Sequence, residues 1–247
     1  MPLGLQALGD VKRHVFESKI SETASDFALS KDLLRIGFVM DDAKTPLGTP
    51  FRIRGFDLYQ GFLSADQQAM IVDDLRKTTR QAPLFSPETP YGKRMTVRMT
   101  SAGKYGWFSD QRGYRYVDRH PAGQRWPHIP QSVLQIWQAL GPAGRLPDCC
   151  LINYYGEGAR MGMHQDKDEA DFSWPVISIS LGDEGLFRIG NTARGGKTES
   201  VWLKSGDAVV MGGGARLQHH GVDRIRFQSS TLLPKGGRIN LTLRVVD

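Results

Sequence analysis

Two histidines and one aspartate in this sequence could hold a divalent transition metal. His164 and Asp166 are two residues apart, so an extended backbone turns both side chains to the same side. A second imidazole from further along the chain, at His219 or His220, would complete a set of two nitrogens and one carboxylate. That set leaves half of the coordination sphere of Fe(II) open to a co-substrate and oxygen. His219 and His220 point to opposite sides of an extended segment, and we favour His220.

The end of the sequence could bind a dicarboxylate. Its polar residues alternate with apolar ones, as in a strand with one polar face. The polar positions are Arg238, Asn240, Thr242 and Arg244. Guanidinium groups bind carboxylates through paired hydrogen bonds, so two arginines beside Fe(II) suggest 2-oxoglutarate. The alternative interpretation is an edge strand whose charged face is exposed to solvent.

The segment between residues 89 and 116 could bind nucleic acid. Besides one acid, Asp110, it has six cations: Lys93, Arg94, Arg98, Lys104, Arg112 and Arg115. Between them lie Tyr91, Met95, Met99, Tyr105, Trp107, Phe108, Tyr114 and Tyr116. Cations suit phosphates and aromatic rings suit unstacked bases, as in proteins that bind single strands or flipped-out bases. The alternative is a hairpin that packs on the core.

The composition is typical of a soluble globular protein with a surplus of positive charge. Of the 247 residues, 40% are hydrophobic and 23% are charged. The net charge of +6 favours a polyanionic partner. We predict neither a membrane span nor secretion, because no long apolar run or cleavable leader is found. Cys149 and Cys150 are adjacent and poorly placed to pair, which favours a reducing compartment, the cytoplasm.

The hydrophobic pattern predicts two helices followed by a β-rich region. One helix is predicted over residues 65–79, opened by a capping box at Ser64 and Gln67, and the other over residues 130–140. The predicted strands are Leu151–Tyr155, Val176–Leu181, Leu186–Ile189, Val201–Leu203, Ala208–Met211 and Arg238–Val246. Short strands separated by glycine-rich turns favour a sandwich or barrel.

Four motifs occur in one order along the chain. They are Leu151-Ile-Asn153-Tyr-Tyr155, His164-Gln-Asp166-Lys-Asp168-Glu, His220-Gly221 and Arg238-x-Asn240-x-Thr242-x-Arg244. Together they resemble the AlkB family of Fe(II)/2-oxoglutarate-dependent nucleic-acid dealkylases, most closely its bacterial founding member, over about residues 85–246. The resemblance implies a mainly β, α+β fold with flanking helices and a double-stranded β-helix, or jelly-roll, core. It also implies His164, Asp166 and His220 as the iron ligands.

The resemblance further implies the co-substrate site and the reaction. Arg238, Asn240 and Arg244 would hold 2-oxoglutarate, with Asn153 and Tyr155 contributing from an earlier strand. With Fe(II), 2-oxoglutarate and O2, the enzyme would demethylate bases of the 1-methyladenine or 3-methylcytosine type in DNA. Formaldehyde, succinate and CO2 would be released.

On the substrate side, the resemblance implies five contacts. Trp107 would stack on the alkylated base opposite the His164 ring, and Met99 would line the pocket. Tyr114 would contact the phosphate backbone. Asp168 would sit near the base edge and favour a cationic base, and Arg194 would approach from the other side.

The sequence predicts an N-terminal extension followed by one catalytic domain. Residues 1–48 would form an extension of unknown role, and residues 49–247 the dioxygenase domain of a monomer. Within that domain, residues 49–120 would carry a helix and the nucleotide-recognition lid, and residues 121–247 the jelly-roll core. Met211 replaces the tryptophan that precedes Gly-Gly in the founding member, so the pocket near the metal could differ. A related oxygenase acting on RNA, protein or a metabolite, and a non-catalytic binding module, are the alternatives.

Overall fold

The computed structural model describes residues 48–247, so the predicted N-terminal extension lies outside the described residues except for its last position. The helices are α1 (Ala65–Gln81) and α2 (Gln131–Leu140). The strands are β1 (Phe51–Ile53), β2 (Phe56–Tyr59), β3 (Arg98–Gly103), β4 (Gly106–Asp110), β5 (Gly113–Val117), β6 (Cys149–Tyr155), β7 (Met161–His164), β8 (Val176–Gly182), β9 (Glu184–Ile189), β10 (Glu199–Leu203), β11 (Ala208–Met211), β12 (His220–Arg226) and β13 (Arg238–Arg244).

Two antiparallel sheets form the jelly-roll core. The larger sheet has the order β1-β2-β11-β8-β13-β6-β3, and the smaller has the order β10-β9-β12-β7. Strands β4 and β5 pair only with each other, as a hairpin. Strands that follow one another after β6 alternate repeatedly between the two sheets, which confirms the mainly β fold with flanking helices that the sequence predicted.

The larger sheet is covered on both faces. On one face Phe187 and Val222 of the smaller sheet share a core with Phe56 of the larger sheet. On the other face Leu75 of α1 and Trp137 of α2 pack in a second core that includes strands β8 and β13. All seven residues of β8 are therefore buried. Along β8 the apolar residues Ile177, Ile179 and Leu181 of the helix-side core alternate with Ser178 and Ser180, which are buried on the opposite face.

Both predicted helices are present with small shifts at their ends. The capping box opens α1 as predicted: the Ser64 hydroxyl accepts from the Gln67 amide, and the Gln67 side chain accepts from the Ser64 amide. Helix α1 continues to Gln81, two residues beyond the prediction. Pro130 is the N-cap of α2 rather than its first helical residue, because its backbone is extended. Among residues 48–247, no helix is both long enough and apolar enough to cross a membrane.

Seven strands of the described range were not predicted: five short ones, and also β3 and β12, which have six and seven residues. Strands β1, β2, β4, β5 and β7 have three to five residues each, too few for a periodic pattern to stand out. The predicted last strand, residues 238–246, ends at Arg244, although Val245 and Val246 remain buried. The basic segment predicted to bind nucleic acid, residues 89–116, contains β3 and nearly all of the β4–β5 hairpin. It is therefore part of the fold as well as a candidate binding segment.

Candidate metal centre and co-substrate cavity

His164, Asp166 and His220 converge on one point. His164 of β7 and His220 of β12 are directly opposite in the antiparallel register, and their ring centroids are 4.7 Å apart. The Asp166 carboxylate lies 3.6 Å from the Nε2 atom of each ring. All three ligand atoms lie within 4.8 Å of one another. These separations are long for hydrogen bonds but fit a metal about 2 Å from each atom.

A glycine lets the two strands approach at this point. Gly221 follows His220 on β12, and a Cβ atom there would lie 2.6 Å from the carbonyl oxygen of Met161 and 2.7 Å from that of Gly162. No side chain fits that gap, so a larger residue would push β12 away from β7. Gly221 therefore preserves the register that sets His220 opposite His164.

Hydrogen bonds orient both imidazoles. The Nδ1 atom of His164 lies 2.9 Å from the carbonyl oxygen of Gly162, and that of His220 lies 3.0 Å from the carbonyl oxygen of Gln218. A carbonyl oxygen only accepts, so the proton is assigned to Nδ1 in both rings. The Nε2 lone pairs then face Asp166, as metal ligation requires.

Electrostatics keep His164 and Asp166 in ligand form. Loss of solvation, followed by repulsion from His220, lowers the pKa of His164 below its usual value, although 40% of its side chain remains exposed. Burial alone would raise the pKa of Asp166, but Arg244 and then His220 outweigh it and hold the pKa well below the usual range. A neutral imidazole and a charged carboxylate are the forms that bind a metal.

The triad opens into a cavity of about 700 Å³, within the usual range for small-molecule sites. The polar residues lining it from the larger sheet are Asn153, Tyr155, Ser178, Asn240, Thr242 and Arg244. Met211, the departure from the family pattern, is buried and also lines this cavity.

The edge-strand interpretation of the C-terminal segment is wrong. Strand β13 lies between β6 and β8 in the middle of the larger sheet, and Arg238, Asn240 and Arg244 are buried. Such a position is costly for charged residues unless they have partners. The strand therefore carries its guanidinium groups in the interior.

Arg238 has unused hydrogen-bonding capacity. Its Nη2 atom donates to Ser180 at 2.9 Å, but Nε and Nη1 have no partner among residues 48–247. Its guanidinium carbon lies 5.3 Å from the centre of the Tyr155 ring, which lines the cavity. Arg244 Nε is likewise a buried donor without a partner in the described range. Buried donors without acceptors fit a carboxylate ligand, since leaving them unpaired is costly.

Arg244 links the metal site to a buried charge network that the sequence did not reveal. Its Nη2 atom lies 2.9 Å from Asp166, and its Nη1 atom lies 2.9 Å from Glu169. Glu169 also accepts from Tyr116 at 2.5 Å and from Arg216 at 3.0 Å. Glu169 is the last residue of the motif that begins at His164. No pattern along the chain indicated that Glu169 and Arg216 are both buried.

Replacing Glu169 with alanine should destabilise the protein by about 3–5 kcal/mol, because Arg216 and Arg244 would be left as buried cations without their shared partner. Urea unfolding gives the free-energy difference. The control is Glu157→Ala, which removes an exposed carboxylate and should change stability by less than about 0.5 kcal/mol. Equal stabilities of the two variants would contradict the structural role of the network.

The five substrate-side residues all line the same cavity. They are Met99, Trp107, Tyr114, Asp168 and Arg194. The Trp107 and Tyr114 rings are stacked, with centroids 5.4 Å apart and an interplanar angle of 19°. The Trp107 indole N–H donates to Asp168 at 2.9 Å. Met99 is almost wholly buried, so it is both a core residue and part of the cavity wall.

The other candidate histidine lies outside the triad. His219 lines the cavity, but its Nδ1 atom lies 3.0 Å from the carbonyl oxygen of Asn191. His120 is buried between the rings of Phe85 and Trp126, neither of which is a metal ligand, so its role is structural.

Comparisons with known proteins agree with this site. Residues 55–244 match the family model of the 2OG-Fe(II) oxygenase superfamily. An alpha-ketoglutarate-dependent dioxygenase AlkB homolog of Caulobacter vibrioides is 52% identical over 193 residues, which cover 78% of this chain and 88% of that protein. The AlkB dioxygenase of Escherichia coli is 37% identical over 190 residues, which cover 74% and 85%. The solved structure of OsALKBH1 has a TM-score of 0.67 and 31% identity, covering 79% of this chain and 98% of that one.

The family match over most of the chain thus coincides with a metal-sized cluster of two histidines and one aspartate. The buried guanidinium group of Arg244 contacts the aspartate of this cluster. Fe(II), 2-oxoglutarate and O2 are the cofactors and co-substrates of this family. The chain belongs to the 2OG-Fe(II) oxygenase superfamily and, within it, to the AlkB family of Fe(II)/2-oxoglutarate-dependent dioxygenases.

Proposed function

We propose that this enzyme oxidatively demethylates alkylated bases in DNA, of the 1-methyladenine or 3-methylcytosine type. The observation that carries the proposal is the stacked Trp107–Tyr114 pair, which lines the same cavity as the metal triad. Aromatic faces bind unstacked bases of any sequence. An enzyme that repairs alkylation damage needs such tolerance, since damage occurs in many sequence contexts.

In this proposal the triad holds iron and the larger sheet holds the co-substrate. His164, Asp166 and His220 would ligate Fe(II). The residues that would hold 2-oxoglutarate are Asn153, Tyr155, Arg238, Asn240 and Arg244. The bound iron, with 2-oxoglutarate and O2, supplies the oxidation of the methyl carbon, and formaldehyde, succinate and CO2 are the products. The protein orients the base, excludes water and selects the lesion.

Asp168 supports a preference for cationic lesions. The Trp107 N–H fixes the Asp168 carboxylate at the edge of the indole ring. Methylation at N1 of adenine or N3 of cytosine leaves the base positively charged. A base stacked on Trp107 would therefore have a fixed negative charge beside its edge, which favours the alkylated base over the normal one.

We further propose that the substrate is a single strand or a flipped-out base, and that the enzyme is a cytoplasmic monomer. The cavity encloses the triad, so a base must leave its stack to reach it, and a single strand or a flipped-out base suits this requirement. Arg194 and Lys167 are exposed residues of the cavity wall. Arg194 would approach the base from the side opposite Trp107, and Lys167 would face the phosphates. The two buried, free cysteines are consistent with a monomer in the reducing cytoplasm.

The function is tested by formaldehyde release from methylated oligonucleotides. We expect turnover with single-stranded DNA that contains 1-methyladenine or 3-methylcytosine, and none with the unmethylated strand. Matched RNA and duplex DNA measure the preference for nucleic acid and strandedness. If a preparation that binds iron and 2-oxoglutarate releases formaldehyde from none of the methylated oligonucleotides, the proposed substrate is wrong. The family assignment would be unaffected.

Trp107→Ala should lower kcat/KM for a methylated oligonucleotide by about 10- to 100-fold, since base stacking contributes about 1–3 kcal/mol. Iron and 2-oxoglutarate binding should be unchanged, because Trp107 is assigned to neither. The matched control is Trp202→Ala, which removes an indole that packs under Arg226 and does not line the cavity. Unchanged repair by Trp107→Ala would remove that residue from the base site.

A further inference from the structure

We propose that Tyr91 and the cations beside it bind the nucleotide next to the alkylated one on the same strand. The Tyr91 ring would stack on the neighbouring base, and Lys93, Arg94 and Arg112 would contact phosphates. This inference rests on the proposed function and adds a second contact outside the cavity.

Tyr91 is held out in water by an ordered turn. The Thr89 amide donates to the Lys93 carbonyl at 2.9 Å, and the Gly92 amide donates to the Thr89 carbonyl at 2.8 Å. Gly92 has a φ of +74°, which the turn requires and which other residues rarely adopt. Tyr91 stands at the tip with 95% of its surface exposed, whereas the next most exposed large hydrophobic residue in the described range, Phe51, is 55% exposed. An ordered turn that exposes a whole aromatic ring presents a binding face.

The turn adjoins the wall that carries the stacked rings. The Ser109 hydroxyl of β4 donates to the Glu88 carbonyl at 2.5 Å. A Cβ atom on Gly92 would lie 4.0 Å from the side chain of Gln111, in the turn between β4 and β5. Met95, at the base of the loop, lines the cavity. The exposed ring therefore lies beside the hairpin that carries Trp107 and Tyr114.

The surroundings of Tyr91 carry uncompensated positive charge. Lys93, Arg94 and Arg112 are exposed, and none has an acidic partner within 4.0 Å among residues 48–247. Of the two nearby acids, Asp110 is already engaged, since it binds Arg115 at 2.8 Å. The exposed Glu88, whose backbone pairs with that of Arg94, balances one of the three cations and leaves a positive surplus. Cations around an exposed ring attract a phosphate backbone and leave the ring for a base.

The position of the ring decides which nucleotide it takes. Tyr91 does not line the cavity, within the part of the chain that the structure describes, so its ring is assigned to a nucleotide outside the cavity. The adjacent nucleotide of the same strand is the one that must pass over the rim. A free mononucleotide has no such neighbour, and this difference gives the proposal its test.

Three variants are compared: Tyr91→Ala, Tyr91→Phe and, as a matched control, Phe51→Ala, an exposed ring on β1 at the opposite edge of the larger sheet from β3. The substrates are a single-stranded DNA of about nine nucleotides with one central 1-methyladenine, the same strand with abasic sites on both sides of the lesion, and 1-methyl-dAMP. Formaldehyde release gives KM and kcat. Fluorescence anisotropy with the unmethylated strand gives the dissociation constant without turnover.

Tyr91→Ala should raise KM for the normal strand about tenfold, equivalent to about 1.4 kcal/mol, with kcat unchanged. The same variant should match the parent protein on the abasic-flanked strand and on 1-methyl-dAMP. Tyr91→Phe and Phe51→Ala should match it on all three substrates. Equal effects of Tyr91→Ala on all three substrates, or no effect on any, would overturn the proposal.

The binding measurement separates this inference from the proposed function. A parent protein that releases no formaldehyde but binds the strand about tenfold more tightly than Tyr91→Ala does would disprove the proposed reaction and retain the contact. Equal dissociation constants for the parent and Tyr91→Ala would remove the contact, whatever the enzyme turns over. A duplex that shows the Tyr91 effect while the single strand does not would also contradict it.

Discussion

His220→Ala is expected to abolish iron binding at stoichiometric Fe(II) and to lower 2-oxoglutarate turnover by more than about 100-fold, because it removes one of three ligands. His219→Ala is expected to keep iron. The two variants remove the same side chain from adjacent positions, but only His220 faces His164 across β7 and β12.

Iron is measured on anaerobically reconstituted protein, and circular dichroism shows whether each variant folds. Iron loss in His219→Ala with retention in His220→Ala would reverse the assignment. Loss in both would mean that the segment, rather than one ring, is needed.

Arg238→Met is expected to act in opposite directions on two properties. It should raise KM for 2-oxoglutarate about 10- to 100-fold, since a charge-assisted hydrogen bond contributes about 1.5–3 kcal/mol. The ligand-free protein should become more stable, by about 1–3 kcal/mol, because a buried cation with two unpartnered nitrogen donors is replaced by an apolar side chain. Burial lowers the pKa of Arg238, which shows the same cost of holding this charge in the interior.

Thermal unfolding with Mn(II) in place of iron, with and without 2-oxoglutarate, measures both properties. The parent protein should show a rise in Tm with 2-oxoglutarate that Arg238→Met lacks. The control is Arg224→Met, whose side chain is 67% exposed and pairs only loosely with Asp223. A normal Tm shift in Arg238→Met would exclude Arg238 from the co-substrate site.

Some features were predictable because they depend on neighbours along the chain. The capping box at Ser64 and Gln67 opens α1 through contacts three residues apart. The alternation in residues 238–244 identified a strand and its polar face. The spacing of His164 and Asp166 identified half of the metal site. Each of these signals lies within one turn or one strand, where the backbone geometry is fixed by few residues.

Other features depend on which distant segments meet. An edge strand and a central strand can have the same alternation, so only the positions of β6 and β8 on either side of β13 show that its arginines are buried. The burial of Glu169 depends on Tyr116, Arg216 and Arg244, which come from separate parts of the chain. Charged residues are usually exposed, and the sequence gives no local sign of an exception.

The residue types and their spacing identified the chemical groups: two imidazoles and a carboxylate for a metal, guanidinium groups for a dicarboxylate, and aromatic rings among cations for a base. The fold set His220, which the sequence already favoured, opposite His164, placed Arg238 beside Tyr155 and stacked Trp107 on Tyr114. For the histidines the cause is strand register. A shift of one residue in β12 would turn the other histidine toward His164, and pairing with β7 and β9, with the close approach at Gly221, fixes that register.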